Sequence, residues 1–332
     1  VTRLYDSRWP GPNGIGRFAT EVVQRIPGLQ PLEADLPLFH PLDPWRLARE
    51  IRRIAPAVFF SPGFNAPVAT PGVPLVFTLH DLNYVHFAAN TTALKRAYFA
   101  TIVKPACRRA ARVLTVSEFS RRQIIEWAHI PEERVRNVSN GVAGSFVPGG
   151  TRHSPGFPYL LFVGSQASHK NLRRLVAALA RSGAAREVKL LVTGQPTADT
   201  ARWLAAENLG SHVEFTGLLP DDELPAYYRG AVALAMPSLF EGFGLPVVEA
   251  MACGTAVLTS DATSLPEVAG DAALIVNPTD VDAIAGAIDR LVFDRTLRED
   301  LGAKGIVRAR GFSWDETARA IVAVLDEAER GG

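Results

Sequence analysis

Short apolar runs alternate with amphipathic stretches along the whole chain. The runs that read as strands are Thr2 to Tyr5, Ala57 to Phe60, Val73 to Leu79 and Arg112 to Val116 in the first half. In the second half they are Tyr159 to Val163, Lys189 to Thr193, Val213 to Thr216, Ala231 to Met236, Ala256 to Thr259 and Ala273 to Val276. Several are continuously apolar, as in Leu75-Val76-Phe77, which fits strands buried on both faces of a parallel sheet. Helical periodicity fills the gaps: a helix opened by a glycine-rich loop and running to Ile26, then Leu172 to Ala180 and Asp280 to Phe293. A last helix, Trp314 to Arg330, is apolar at Ala318, Ile321, Val322 and Leu325. The order strand, loop, helix, strand predicts α/β architecture with parallel sheets. Between Phe146 and Pro158 the periodicity lapses and Pro, Gly and Ser accumulate, which reads as a linker. The expected assembly is two doubly wound, Rossmann-like domains, residues 1–150 and 151–313, facing each other across an interdomain cleft. Ligands in such folds bind beyond the carboxyl ends of the strands.

Length agrees with two domains, since 332 residues is long for one. The two cysteines, Cys107 and Cys253, are too few for a zinc cluster or a disulfide framework and fit a reducing, cytoplasmic setting. The start, Val1 to Asp6, reads as a first strand and not as a signal peptide, and no apolar run is long enough to span a membrane. The net charge of +1 hides a split. Residues 1–150 hold 18 Lys and Arg against 11 Asp and Glu, whereas residues 151–332 hold 17 against 23. The first half is therefore expected to meet something anionic. Its basic stretch 95–136 places Leu94, Tyr98 and Ile102 on one helical face, with Lys95, Arg96 and Lys104 elsewhere. Peripheral contact with the inner face of a membrane and ordinary core packing under a solvated basic face both fit that pattern. The aromatic residues among the charges are too sparse for a stacking platform, which disfavours a nucleic-acid partner.

Candidate chemistry concentrates in Pro237-Ser238-Leu239-Phe240-Glu241-Gly242-Phe243-Gly244-Leu245-Pro246-Val247-Val248-Glu249. An apolar strand runs into a glycine turn and then a helix closed at Gly254. The amides of Gly242, Phe243, Gly244 and Leu245 lie at a helix N-terminus, where an anion is stabilised. Glu241 and Glu249 beside such a cradle suit hydroxyl groups, so the ligand is expected to be part phosphate and part sugar. A second strand–loop–helix junction, Gly164-Ser165-Gln166-Ala167-Ser168-His169-Lys170, offers Lys170 as a point charge for a phosphate. His80 and Asp81 follow an apolar strand. A histidine there could bond a sugar hydroxyl, share charge with a transition state, or be a satisfied core residue. The loop Asn13-Gly14-Ile15-Gly16-Arg17 lacks the Gly-x-Gly-x-x-Gly spacing, and no fitting acidic residue follows it, so a dinucleotide dehydrogenase is disfavoured.

These residues resemble the signature of glycosyltransferase family 4, Glu-x7-Glu in a Glu-Gly-Phe-Gly-Leu-Pro setting. Cys253-Gly254-Thr255-Ala256-Val257, Leu265-Pro266-Glu267-Val268, Val116-Ser117-Glu118-Phe119-Ser120 and Asn140-Gly141-Val142 extend the resemblance over nearly the whole chain. It implies the two-domain GT-B fold, with the helix at about 314–330 crossing back onto the first domain. It also implies a retaining transfer of a hexose from a nucleotide diphosphate sugar. That transfer is expected to be metal-independent, because Lys170 and the helix N-terminal amides can stabilise the leaving diphosphate and no Asp-x-Asp is expected to hold a metal there. In the family the first glutamate, here Glu241, lies by the donor hexose, and the second, Glu249, binds the ribose. Gly164, Ser165 and Lys170 would serve the diphosphate, with Ser165 standing where the family usually has arginine. His80 would approach the donor sugar, Gly14 and Gly16 the phosphates, and Asn13, Arg17 and Asp81 the acceptor side. His80, Lys170 and Glu241 are thus the expected catalytic residues. Gly-Ile-Gly-Arg, His-Asp-Leu and His-Lys-Asn look most like the mannosyltransferase branch, which points to GDP-mannose first and a UDP-sugar next. The acceptor is expected to be a glycan, a lipid-linked sugar or a small molecule. Attack on the same face, with the departing phosphate taking the acceptor proton, is the mechanism the resemblance favours over a carboxylate nucleophile. A nucleotide-sugar epimerase on the same architecture and a non-catalytic nucleotide-sugar binder are the alternatives.

Overall fold

The computed structural model describes residues 2–11, 13–33, 37–38, 40–87 and 91–331. Val1 at the start of the first expected strand and Pro12 of the glycine-rich loop lie outside them. The chain divides into two compact units, Val1–Gly141 with Ser313–Gly332, and Val142–Phe312.

The first unit opens with β1 (Arg3–Asp6), α1 (Gly14–Arg25), β2 (Leu29–Leu32), α2 (Asp43–Ile54), β3 (Val58–Ser61) and β4 (Leu75–Thr78). It continues with α3 (Asn83–His86), α4 (Ala93–Tyr98), α5 (Lys104–Arg109), β5 (Arg112–Thr115), α6 (Glu118–Ala128) and β6 (Val135–Asn137). The sheet order is β2-β1-β3-β4-β5-β6, all parallel. The chain turns to opposite sides after β1, so the topological switch point lies between β1 and β3. β3 and β4 are buried at every residue, as continuously apolar runs predict. β2 (Leu-Gln-Pro-Leu) and β6 (Val-Arg-Asn) were not anticipated because both are edge strands. An edge needs no continuous apolar run and tolerates proline.

Residues 94–102 depart from the expected single stripe. α4 gives way to a π-helical turn, Phe99–Val103, before α5. The wider turn shifts the register of the face. As a result Leu94 is 75% exposed while Phe99 and Val103 are buried.

The second unit runs β7 (Tyr159–Phe162), α7 (Leu172–Arg181), β8 (Lys189–Val192), α8 (Ala198–Ala206), β9 (Val213–Phe215), α9 (Leu224–Gly230) and β10 (Ala233–Met236). Then follow α10 (Leu245–Ala252), β11 (Val257–Ser260), α11 (Leu265–Ala269), β12 (Leu274–Val276), α12 (Val281–Phe293) and α13 (Arg295–Ala309). Its order, β12-β11-β10-β7-β8-β9, is the dinucleotide-fold order with the switch point between β7 and β10.

After α13 the chain re-enters the first unit as α14 (Trp314–Arg330), which packs on α1, β3 and β4. Its apolar face is built from Ala318, Ile321, Val324 and Leu325, all buried, with Trp314 inserted edge-on to Phe18 at 6.2 Å. Arg3 pairs with Asp326 and Glu329, and Arg25 with Asp315, along its rim. Trp314 is 2% exposed and is among the largest fully buried side chains. Trp314→Ala should therefore destabilise the first unit by about 3–5 kcal/mol. Urea denaturation followed by fluorescence and circular dichroism would show one transition displaced; an unmoved midpoint would mean α14 adds no stability.

Candidate active site

Across the switch point of the second unit, the loop after β7 meets the loop after β10. Lys170 ends a one-turn 3₁₀ helix, Ser168–Lys170, and its Nζ donates to both Glu241 carboxylate oxygens at 2.8 Å. The side chains are 16% and 10% exposed, so this is a largely shielded, charge-assisted pair. Gly164 borders the stem of Lys170, and Ser165 is exposed beside it. Asn171, in the left-handed region at φ 64°, fastens the junction by donating to the carbonyls of Pro237 and Pro278 at 2.8 and 2.7 Å. Leu239 N–H donates to the His169 carbonyl at 2.7 Å, which ties the same two loops again. Burial, with repulsion from Lys170, holds His169 below the ordinary histidine range. That shift disfavours a charged His169 beside Lys170.

Glu241 is also held through its backbone. Its N–H donates to Thr263 Oγ1 at 3.0 Å, and Ser264 Oγ donates to the carbonyls of Glu241 and Phe243 at 2.9 and 3.1 Å. Gly244 caps α10 at φ 104°, where an added Cβ would also lie 2.7 Å from Leu265. Only glycine fits that turn. Pro246 occupies the second helical position, where its missing N–H costs nothing. Phe243 is buried edge-on to Phe312 at 5.5 Å, and Leu245 opens the helix. Gly242 is buried before it. Glu249 is the fifth residue of α10 and 3% exposed. Tyr228 donates its hydroxyl to Glu249 Oε2 at 2.8 Å, and Thr255 Oγ1 fixes the Tyr228 carbonyl at 2.7 Å. Sequence reasoning missed Tyr228, Thr263 and Ser264, and read Asn171 only as part of the His-Lys-Asn run, without its structural role. The Ser/Thr cluster after the expected strand β11 was the one signal for Thr263 and Ser264.

In the first unit, His80 follows β4 and is 8% exposed. Its Nε2 lies 3.0 Å from the Pro62 carbonyl, and Phe18 meets the ring edge-on at 4.8 Å. A carbonyl only accepts, so Nε2 carries the proton, and in a neutral ring Nδ1 is the acceptor. Burial lowers the pKa to about 4, against the weaker opposing bond to Pro62. His80 is thus suited to accept from a hydroxyl but not to supply positive charge. It lines a cavity of about 110 Å³ with Ile15, Phe64, Asp81, Asn83, Tyr84 and Phe99. Asp81 accepts from the Asn83 N–H at 2.9 Å. Asn13 caps α1 by accepting from the Gly16 N–H at 2.9 Å, and Gly14 and Arg17 lie in its first turn. A Cβ on Gly16 would fall 2.5 Å from the Gly11 carbonyl, so this glycine also allows close backbone approach.

The basic group in 95–136 is used partly inside the unit. Arg108, Arg109 and Arg112 donate to the carbonyls of Ala128, Pro67 and Ala111, and Lys95 lies over the Tyr84 ring. Although no Asp-x-Asp is expected, one does occur, at Asp280-Val281-Asp282. There Asp280 caps α12 and Asp282 pairs with Arg181. Among the described residues no group of three or more His, Cys, Asp or Glu is placed to hold a metal ion. None of their helices is long and apolar enough to cross a membrane.

A carboxylate beyond a strand end, a second on the helix that follows, a paired lysine and a glycine-capped helix thus gather at the carboxyl edge of the second unit's parallel sheet. The family description "Glycosyltransferase Family 4" matches residues 3–144, and "Glycosyl transferases group 1" matches residues 149–308. The O-antigen chain mannosyltransferase B of Escherichia coli is 29% identical, over 91% of this chain and 93% of its own. The MMP alpha-(1->4)-mannosyltransferase of Mycolicibacterium hassiacum is 33% identical, over 79% of this chain and 67% of its own. The crystal structure of Anabaena HepE in complex with UDP-glucose superposes with a TM-score of 0.78 at 17% identity, covering 98% of this chain and 99% of that one. The chain belongs to glycosyltransferase family 4 and has the GT-B fold. It is a glycosyltransferase.

The neutral state of His80 has a consequence for stability. Its folded pKa of about 4 lies below the ordinary 6.5, so the unfolded chain binds a proton that the folded ring refuses. That contribution is intact above pH ~6.5 and is lost as pH falls towards ~4, by at most about 3 kcal/mol. Denaturation midpoints between pH 7 and pH 4 should fall less steeply in His80→Gln; parallel slopes would remove His80 as their cause.

Proposed function

We propose that the protein is a retaining mannosyltransferase that uses a nucleotide diphosphate sugar, with GDP-mannose the first choice and a UDP-sugar the next. The observation that carries this reading is the Lys170–Glu241 pair at the switch point, with Glu249 on the adjoining helix. The mannosyltransferase relatives support the sugar, and the UDP-glucose complex of the HepE neighbour supports the nucleotide class. Lys170 would turn from Glu241 towards the diphosphate, and α10 N-terminal amides would share its charge. Glu241 would orient the hexose hydroxyls, and Glu249 the ribose. His80 would accept a hydrogen bond from a substrate hydroxyl. The bond from the anomeric carbon to the phosphate oxygen breaks, and the acceptor oxygen bonds on the same face. Its proton passes to the departing phosphate, so no metal is needed to stabilise the leaving group. The acceptor is a glycan, a lipid-linked sugar or a small molecule. Epimerisation is the weaker reading, because the mannosyltransferase relatives favour transfer.

A thermal-shift panel of GDP, UDP, ADP and TDP tests the donor. The right nucleotide at 100 times its dissociation constant should stabilise by about 2.7 kcal/mol. Lys170→Ala should then lower turnover more than nucleotide affinity, because negative charge on the diphosphate grows as the bond breaks. Transfer should persist in EDTA. Equal losses in turnover and affinity would reduce Lys170 to ground-state binding, and activity restored only by Mg²⁺ would overturn the metal-free mechanism.

Exposed Leu94, Lys95 and Arg96 on α4 would carry contact with an anionic lipid surface. Flotation with anionic but not neutral vesicles is the expected outcome. Flotation with neither would remove the membrane from this reading.

A further inference from the structure

The first unit has its own switch point, between β1 and β3, and buried charge fills it. Arg8 donates through Nε and Nη2 to the two Asp6 carboxylate oxygens, each at 2.7 Å, and through Nη1 to Asp43 Oδ1 at 2.6 Å. Asp6 and Asp43 are 0% and 1% exposed. Asn65, also fully buried, donates to Asp43 Oδ2 at 2.6 Å and accepts from the Tyr98 hydroxyl at 2.8 Å. Hydrogen bonding to both acids raises the Arg8 pKa despite its burial, so the guanidinium stays charged. Such a cluster is a costly way to stabilise a core. Its value must lie in what it holds in place.

It holds the segment after β3, which is tied down residue by residue. Ser61 Oγ donates to the Gly63 carbonyl at 2.9 Å. The Pro62 carbonyl faces His80 Nε2 at 3.0 Å. Gly63 lies so close under Trp9 that a Cβ would be 2.4 Å from its ring, and Phe64 meets the same ring at 5.2 Å. Asn65 closes the segment into the ion cluster. We propose that Asp6, Arg8, Asp43, Asn65 and Tyr98 are positioning residues for His80. They fix the 61–65 segment so that the Pro62 carbonyl imposes the Nε2–H tautomer and leaves Nδ1 to accept from a substrate hydroxyl. The functional half of this inference rests on the reading of His80 given above; the tautomer half does not.

The test is the tautomer itself. Long-range ¹H–¹⁵N spectra of ring-labelled protein at pH 7.5 should show wild-type His80 as the Nε2–H form, assigned through His80→Gln. Tyr98→Phe keeps the ring and removes one donor to Asn65. It should shift the tautomer ratio towards Nδ1–H by up to about tenfold, the worth of one net hydrogen bond. Arg8→Lys keeps the charge but not the fork, and should shift the ratio in the same direction. Arg8→Ala is avoided because it would strand two buried carboxylates. An unchanged ratio in both folded variants overturns the inference, as does a wild-type ring already in the Nδ1–H form. If the ratio shifts but His80→Gln transfers sugar at the wild-type rate, the positioning stands and the catalytic reading of His80 fails.

Discussion

A parallel strand buried on both faces has nowhere along its length to present a polar side chain. Every functional group must wait until the strand ends, and the pleat then delivers it to the carboxyl edge of the sheet. Both units obey this constraint. Asp6 closes β1, Lys170 follows β7, His80 follows β4 and Glu241 follows β10. At a switch point two neighbouring loops diverge to opposite faces, which opens room between them. In the second unit that room holds Lys170 against Glu241; in the first it holds Arg8 between two aspartates. The same backbone topology thus accommodates either a single lysine–carboxylate pair or an arginine clasped by two carboxylates.

What separates the two is how completely the charge is satisfied. Lys170 is a compact ammonium on a flexible stem, bound to one carboxylate and partly open to water. In the proposed reaction it would leave that partner for a phosphate, which keeps an anion opposite the ammonium. Arg8 is planar, is gripped on two sides and lies against carboxylates with almost no exposure. Exchange there would leave an unpaired buried charge, so the cluster is suited to holding geometry. His80 falls between these extremes: it is uncharged, anchored at one nitrogen and offers the other.

The central strands and the last helix were legible in the sequence because burial on both faces, or along a full stripe, leaves an unmistakable apolar pattern. β2 and β6 were not, since an edge strand carries proline or charge without penalty. The π-turn after α4 was invisible as well, because one extra residue in a turn leaves no compositional mark. In the candidate site, glycines and acids spaced around a strand end stood out. The residues that aim them did not. Tyr228 is distant in sequence from Glu249, and Asn65 from Asp43, so only folding brings each pair together. The Asp-x-Asp at Asp280 and Asp282, which the sequence reading did not expect, serves here as a helix cap and a surface ion pair.

The return of α14 to the first unit makes the second unit an insertion within the first. During synthesis, β1 to β6 leave the ribosome long before the helix that covers α1, β3 and β4. Until Trp314 arrives, the surface beside Phe18 has no cover, whereas residues 142–312 can already complete their own core. The nascent chain would therefore finish its middle first and its beginning last.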